Sequence, residues 1–366
     1  MRTIRRLVYV EVVQAVAFVS LGFLALFFFF DFVEELGNLG RGIQAYRMTQ
    51  ALAYVALRVP NHLYELLPIA VLIGTIFVMA RLAQSSEYTI LRTSGLGPWR
   101  ALRALLVLGM GFTVLTFATG DYLAPLSDRT AQLLKARFSG GVSVGSTGAW
   151  LKERQRYFSY NVNVGVLSSE GQMRNVRIFE ADSRGFLVSL TQAPRARFDD
   201  GAWVLEEADR TEFSSAEGQS SRVVREKLPT MRWATEITQE MVSVALLKPD
   251  RMSTIALFQY VRHLEANSQT SQRYEIEFWR KVFYPLSCMV MVVLALPFAY
   301  LHFRQGGITT YVFGGVLIGI SFFLLNNVFG YIGNLQNWRP WVAAGAPGFL
   351  YTLFSLGAFG WLVLRR

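Results

Sequence analysis

The chain has 366 residues, 52% hydrophobic and only 17% charged, with a formal net charge of +10 and a single cysteine. Soluble domains carry roughly 25% charged residues, so this composition argues against an ordinary soluble protein and for membrane spans beside a sizeable polar part. The positive charge does not point to nucleic acid, because the basic residues flank apolar runs instead of interleaving with aromatics in a patch, and lone Cys288 excludes an intrachain disulfide.

A helix needs about 20 apolar residues to cross hydrocarbon. Arg2, Arg5 and Arg6 open a basic amphipathic turn suited to the interface. Val12 to Phe30 then runs uncharged into four phenylalanines. It is longer than a signal peptide's apolar region and lacks a small-residue cleavage site, so it predicts an uncleaved first span. Asp31 to Arg58 reads as a polar connection and the amphipathic start of helix two. Pro60 to Ala80 and Ala104 to Gly120 are the second and third spans, joined by a basic turn, Arg81 to Arg103, with one short helix near 84–95. Ser85 or Ser86 can cap that helix, Glu87 lies in its first turn, Gly95 can close it, and Pro98 suits the first turn of the next. Glu65 stands one to two turns inside span two, where water at the interface is still in reach.

Tyr122 to Lys281 is a polar insertion, and Val282 to Phe303, Ile308 to Val328 and Trp341 to Leu364 are spans four to six. The expected division is 1–121, 122–281 and 282–366. Within the insertion, Arg156–Asn161, Arg174–Glu180, Phe186–Thr191, Arg195–Phe198, Trp203–Glu207 and Arg222–Leu228 alternate as strands do. Asp199-Asp200-Gly201 is a hairpin turn. Helices at Asp128–Phe138 and Thr254–Glu265 flank the strands. The fold class expected is an α-helical membrane protein of six transmembrane helices with an inserted all-β domain, a β-sandwich or jelly roll. Ten arginines (2, 5, 6, 81, 92, 100, 103, 304, 365 and 366) lie in the short loops of one side, against Arg41, Arg47, Arg58 and Arg339 on the other. The positive-inside rule then places both termini in the cytoplasm and the β domain outside.

Catalytic chemistry is missing. His62, His263 and His302 lack metal-ligand spacing and read as interfacial or surface residues. Gly140 to Thr147 has the glycine spacing of a phosphate loop but Ser146 where lysine is required, so it reads as a plain loop. Span five carries two faces: Gly315 and Gly319, spaced for close helix approach, and a stripe of Phe313, Leu317, Ile320 and Leu324 that suits either packing, lipid contact or a cavity for acyl chains.

Several stretches carry a family resemblance: Leu82-Ala83-Gln84-Ser85-Ser86-Glu87 with Ser94-Gly95-Leu96, then Ala124-Pro125, then Arg273-Tyr274 with Trp279, Lys281 and Pro285. With them the whole chain resembles the lipopolysaccharide-export permeases of the YjgP/YjgQ (LptF/LptG) family, nearer the LptG branch. The resemblance implies a transmembrane subunit of an ATP-driven exporter in the bacterial inner membrane, the β domain being periplasmic. It also implies an LptF paralogue as partner, an LptB ATPase dimer that binds ATP and Mg, and LptC leading to a periplasmic bridge. No cofactor is expected in this chain. Ser86, Glu87, Tyr88, Leu91 and Arg92 would meet the ATPase. Phe27, Arg41, Lys135, Phe313, Leu317, Ile320 and Leu324 would meet lipopolysaccharide. Relatives can carry adjacent lysines after span one, where this chain has Gly37-Asn38 behind Glu34 and Glu35. The alternative is a non-transporting envelope scaffold regulated by a cytoplasmic ATPase, which would tolerate polar residues at Ile320 and Leu324.

Overall fold

A computed structural model describes residues 2–40, 46–85, 87, 90, 93, 97–139, 148–168, 171–214, 222–239, 241–242, 249–300 and 308–361. The chain divides into two compact units. One comprises Met1–Val33, Arg58–Ser127 and Gln272–Arg366, and the other Glu34–Leu57 and Asp128–Ser271.

Among the described residues, six helical stretches are long and apolar enough to cross a membrane. α1 covers Arg2–Leu36 and α2 Met48–Gln84. α2 therefore begins twelve residues before the apolar span at Pro60, and the amphipathic start expected ahead of that span is helical. Pro60 and Pro68 lie inside it, as neighbouring helices permit within a membrane. α3, Pro98–Ala118, starts on the expected proline. It runs through a π-helical turn, Thr119–Leu123, into α4, Ala124–Ser139. The wide turn answers Pro125, whose ring would crowd the carbonyl four residues back in a regular helix. The Ala124 N–H donates to Thr119 O, and the Gly120 carbonyl instead accepts from Lys281 Nζ at 3.1 Å. Lys281 is buried and lies 5.7 Å from the Tyr64 ring centre. Replacing it with methionine keeps the stem and takes this donor from a buried carbonyl. Lys281→Met should cost about 1–3 kcal/mol, read as a lower unfolding temperature of the purified protein.

The fourth span is segmented: α6, Gln272–Phe283, a tight turn at Tyr284–Leu286, α7, Ser287–Ala295, and a second tight turn at Leu296–Tyr300. Pro285 and Pro297 stand in the two turns. α8, Ile308–Leu335, and α9, Pro340–Phe359, complete the bundle. (α5 belongs to the other unit, at Thr254–Ala266.) The core is shared by α1, α2, α3, α7 and the inner faces of α8 and α9. Gly109 lets α3 approach the Met289 backbone, and Cys288 is buried against Thr116.

Among the described residues the second unit holds six antiparallel strands: β1 Ala149–Arg154, β2 Phe158–Leu167, β3 Met173–Asp182, β4 Leu187–Asp199, β5 Ala202–Ser214 and β6 Arg222–Ala234. The all-β expectation stands, and the connectivity is simpler than a sandwich: each strand lies beside its neighbours in sequence, in one sheet. β1 was not foreseen, and the two stretches 186–191 and 195–198 are a single strand. Asp199-Asp200-Gly201 turns as expected, with φ of 45° at Asp200 and 71° at Gly201, as a tight type I′ hairpin requires.

One row explains the split reading of β4. The ladders skip the position where Gly165, Asn175, Pro194, Glu207 and Pro229 would face one another across β2 to β6. Asn175 and Glu207 take φ of 53° and 51° there, and the two prolines sit where no ladder N–H is needed. On each strand the core-facing positions step by three across the row: Val164 to Leu167, Met173 to Val176, Ala193 to Ala196, Leu205 to Ala208, Leu228 to Met231. The sheet is creased along a single line, and its apolar face stays continuous on both sides of it. Trp203 is fully buried there, its indole donating to the Ile237 carbonyl at 2.7 Å.

α5 is capped by the Ser253 hydroxyl, which accepts from Ala256 N at 3.2 Å. His263 in its last turn is partly buried, with Nε2 lacking a hydrogen-bond partner among the described residues. Burial holds its pKa below the usual 6.5, against a weaker pull from Glu153 and Glu236. The folded form therefore resists a proton that the unfolded chain accepts below about 6.5. This contribution to stability is present above that pH and is lost as pH falls through it. Unfolding of the sheet unit at pH 7.5 and 5.5 should show a drop that His263→Gln reduces.

Candidate functional site

α2 is the hub of the membrane unit: 83% of its most apolar stretch is buried, against 17% for α1 and 22% for α8. α1 meets it at Gly74, where a Cβ would stand 2.8 Å from Val16. α8 meets it at Gly315 and Gly319, where a Cβ would stand 2.7 Å from Ile76 and 2.8 Å from Ile69. The two glycines of span five therefore serve close packing on α2. Phe313, Leu317, Ile320 and Leu324 lie on the opposite face, 61%, 52%, 46% and 55% exposed. Val328, Tyr331 and Leu335 continue the stripe to the end of the helix. α1 likewise buries Val8, Val12 and Val16 and exposes Phe18, Leu21, Phe29 and Phe30.

The geometry of α2 adds a residue that sequence reasoning missed. At about 100° per residue, Phe77 projects roughly 60° from Gly74 and 100° from Ile76, between the faces that receive α1 and α8. Of residues 67–80 it alone is exposed. Three apolar surfaces, from α1, Phe77 and α8, are thus exposed among the described residues. Nothing in the α2 sequence marks Phe77, because its exposure depends on where two other helices dock.

Phe27 is half-buried, stacked on His62 with ring centres 5.0 Å apart. His62 is not a surface residue: its Nε2 lies 2.7 Å from Asp31, whose other oxygen pairs with Arg58 at 3.2 Å. This network ties α1 to α2 through Asp31, which follows the phenylalanine run. In the second unit, Lys135 pairs with buried Glu35 at 3.1 Å and lies 4.7 Å from the Tyr54 ring centre. Burial and the Glu35 carboxylate push the nearby Tyr46 hydroxyl well above its usual pKa. Lys135, expected at lipid phosphate, is therefore held by a carboxylate while part of its side chain stays exposed. Arg41 lies outside the described residues.

At the other end of α2, Arg81 pairs with Glu11 of α1 at 2.6 Å. Ser85 closes α2: its N–H donates to the Arg81 carbonyl at 3.0 Å and its hydroxyl to the Leu82 carbonyl at 3.4 Å. Glu87, Ile90 and Thr93 are helical and exposed, with the Thr93 hydroxyl donating to Ile90 O at 3.0 Å. Ser86, Tyr88, Leu91 and Arg92 lie outside the described residues, as does the Gly140–Thr147 loop. Among the described residues, no three His, Cys, Asp or Glu side chains gather as they would around a metal ion. The arrangement offers binding surfaces: apolar faces in the membrane and a short helix with an exposed acid.

The family described as lipopolysaccharide export system permease LptF/LptG matches residues 6–365 of this chain. The lipopolysaccharide export system permease protein LptG of Escherichia coli K12 is 27% identical over 339 residues, covering 92% of this chain and 90% of the relative. LptG of Haemophilus influenzae is 24% identical over the same shares.

Proposed function

The chain belongs to the LptF/LptG family of lipopolysaccharide export permeases, and from that premise we propose that it is one of two membrane subunits of an ATP-driven exporter. The observation that carries this reading is the open apolar surface of α1, Phe77 and α8 around a buried α2. A single chain gives only part of a cavity wall. A second, LptF-like subunit set against these faces would enclose a space wide and apolar enough for a many-chained lipid.

The basic loops favour an inner-membrane orientation with both termini in the cytoplasm and the sheet unit in the periplasm. Glu87 and its short helix then face the cytoplasm and would dock on an LptB dimer, which binds ATP and Mg. Closure of that dimer would move the two subunits as rigid bodies, shrink the cavity and expel the lipid towards LptC and the periplasmic bridge. Phe313, Leu317, Ile320 and Leu324 would meet acyl chains. Lys135 would meet a phosphate with the part of its side chain that stays exposed while it keeps buried Glu35, since an ammonium carries three donors and a charge-assisted contact to phosphate is a strong one.

A tagged copy drawn from native membranes in mild detergent tests the proposal. It should bring down an ATPase, a second six-span subunit and bound lipopolysaccharide, each identified by mass spectrometry. Absence of both ATPase and lipid, where other membrane assemblies stay intact, would replace transport with a scaffold role.

A further inference from the structure

Between α6–α7 and α9 lies an open groove of about 550 Å³, to which α1, α2 and α8 contribute no lining residue. One wall runs from Phe283 to Val290, the other from Trp341 to Thr352. The second wall covers about 16 Å of helix at 1.5 Å per residue, half of a hydrocarbon core of roughly 30 Å. Its mouth is at a membrane interface. The Gln272 side chain donates to the Gly333 and Trp338 carbonyls at 3.2 and 2.6 Å, fixing the start of α6 to the α8–α9 turn. Trp341 opens the groove at that level, as tryptophans do at headgroup depth. The groove thus reaches from the interface to the bilayer midplane, the depth of one leaflet.

Missing side chains build the cleft. Gly345 brings α9 close to the Phe283 ring, 3.3 Å from where a Cβ would stand, while a Cβ at Gly348 would meet nothing within 4 Å. The lining is apolar, and its two hydroxyls, on Ser287 and Thr352, donate to the Tyr284 and Gly348 carbonyls at 2.5 and 2.7 Å. A void of this kind facing hydrocarbon forfeits dispersion contacts until a chain fills it. Transfer from bulk lipid brings no hydrophobic gain, so fit decides what enters. Exposed Arg339, two residues before Trp341, supplies a cation for a phosphate at the mouth.

We propose that this groove is a site for one straight acyl chain of a bilayer glycerophospholipid, drawn from the leaflet on the side of the α8–α9 turn. The second chain of the phospholipid remains in the surrounding bilayer. A many-chained lipid fits less well, because a slot of this size takes one chain and would splay it from the others.

The full-length protein is reconstituted in phosphatidylethanolamine and phosphatidylglycerol containing phosphatidylethanolamine with a diazirine in one acyl chain, then illuminated and digested. Adducts should concentrate on residues 341–352 over the exposed 313–324 stripe. Gly348→Leu, which fills open space, should cut them by on the order of tenfold without changing labelling of the stripe. A second arm uses the unaltered protein: unlabelled straight-chain phospholipid should compete for the groove better than methyl-branched phospholipid. Equal labelling of groove and stripe, or equal competition by both lipids, overturns the proposal in favour of ordinary annular lipid. Displacement of the groove label by added lipopolysaccharide overturns it in favour of the exported lipid.

Discussion

Ile320→Asp and Leu324→Asp should each abolish lipopolysaccharide export while leaving the six-span fold in place. Both side chains lie on the face of α8 turned away from α2, about half-exposed, so neither change disturbs the packing of the helix on its neighbour. An acidic residue at the centre of a span costs about 2.5–3.5 kcal/mol on insertion scales, which the otherwise uncharged α8 can absorb. In a cavity for acyl chains the same charge would meet hydrocarbon with no partner. Yield and unfolding temperature should therefore stay near those of the parent, while lipopolysaccharide reaching the cell surface falls to background. Gly319→Leu is the contrast. A Cβ there already stands 2.8 Å from Ile69, so this change should lower yield itself. Normal export by both aspartate variants would refute the cavity reading.

On the proposed docking of the short helix, Glu87→Lys should separate the chain from the ATPase. Glu87 is exposed on its short helix, and surface substitutions of this kind usually shift stability by no more than about 0.5 kcal/mol. Reversing a charge seated in a partner's groove is different, since losing one side of a buried charge pair costs about 2–5 kcal/mol. The expected loss of ATPase affinity is then on the order of 30-fold to several thousandfold. Co-purification of the ATPase from native membranes, and ATP hydrolysis by the extracted complex, should both collapse while the second subunit stays bound. Retention of the ATPase at parental level would place the coupling contact elsewhere.

The spans were legible because length and lack of charge are properties of single helices. Their junctions were less so. α2 starts at Met48 since Ala51 and Val55 are fully buried, a fact of packing that an amphipathic stretch only hints at. β4 read as two strands because alternation assumes a constant phase, and its phase changes at Pro194. β1 was lost because its burial alternates while its residue types do not: Trp150 is exposed and Glu153 buried, in a run of three apolar residues followed by three charged ones. In the site, the exposed stripe of α8 was visible as spacing, but which face packs was settled only by the contacts of Gly315 and Gly319. Glu35 was in plain view just ahead of Gly37-Asn38, where the family resemblance implies lysines, yet nothing in the spacing joins it to Lys135, so far away in sequence.

The crease in the sheet also governs how this domain can be edited. Suppose Pro194 alone were deleted. The part of β4 before the crease would keep its facing, while Arg195 would take the crease position, Ala196 and Phe198 would turn outward and Arg197 would turn into the core, because a shift of one residue exchanges the faces of a strand. The neighbours would still step by three at the same row and could not follow. A one-residue deletion in any of β2 to β6 is therefore far worse than its size suggests, whereas five matched deletions along the row would merely flatten the sheet. The reading frame of this domain is shared among its strands, and a designer who grafts one of them into another sheet must carry its crease residue with it.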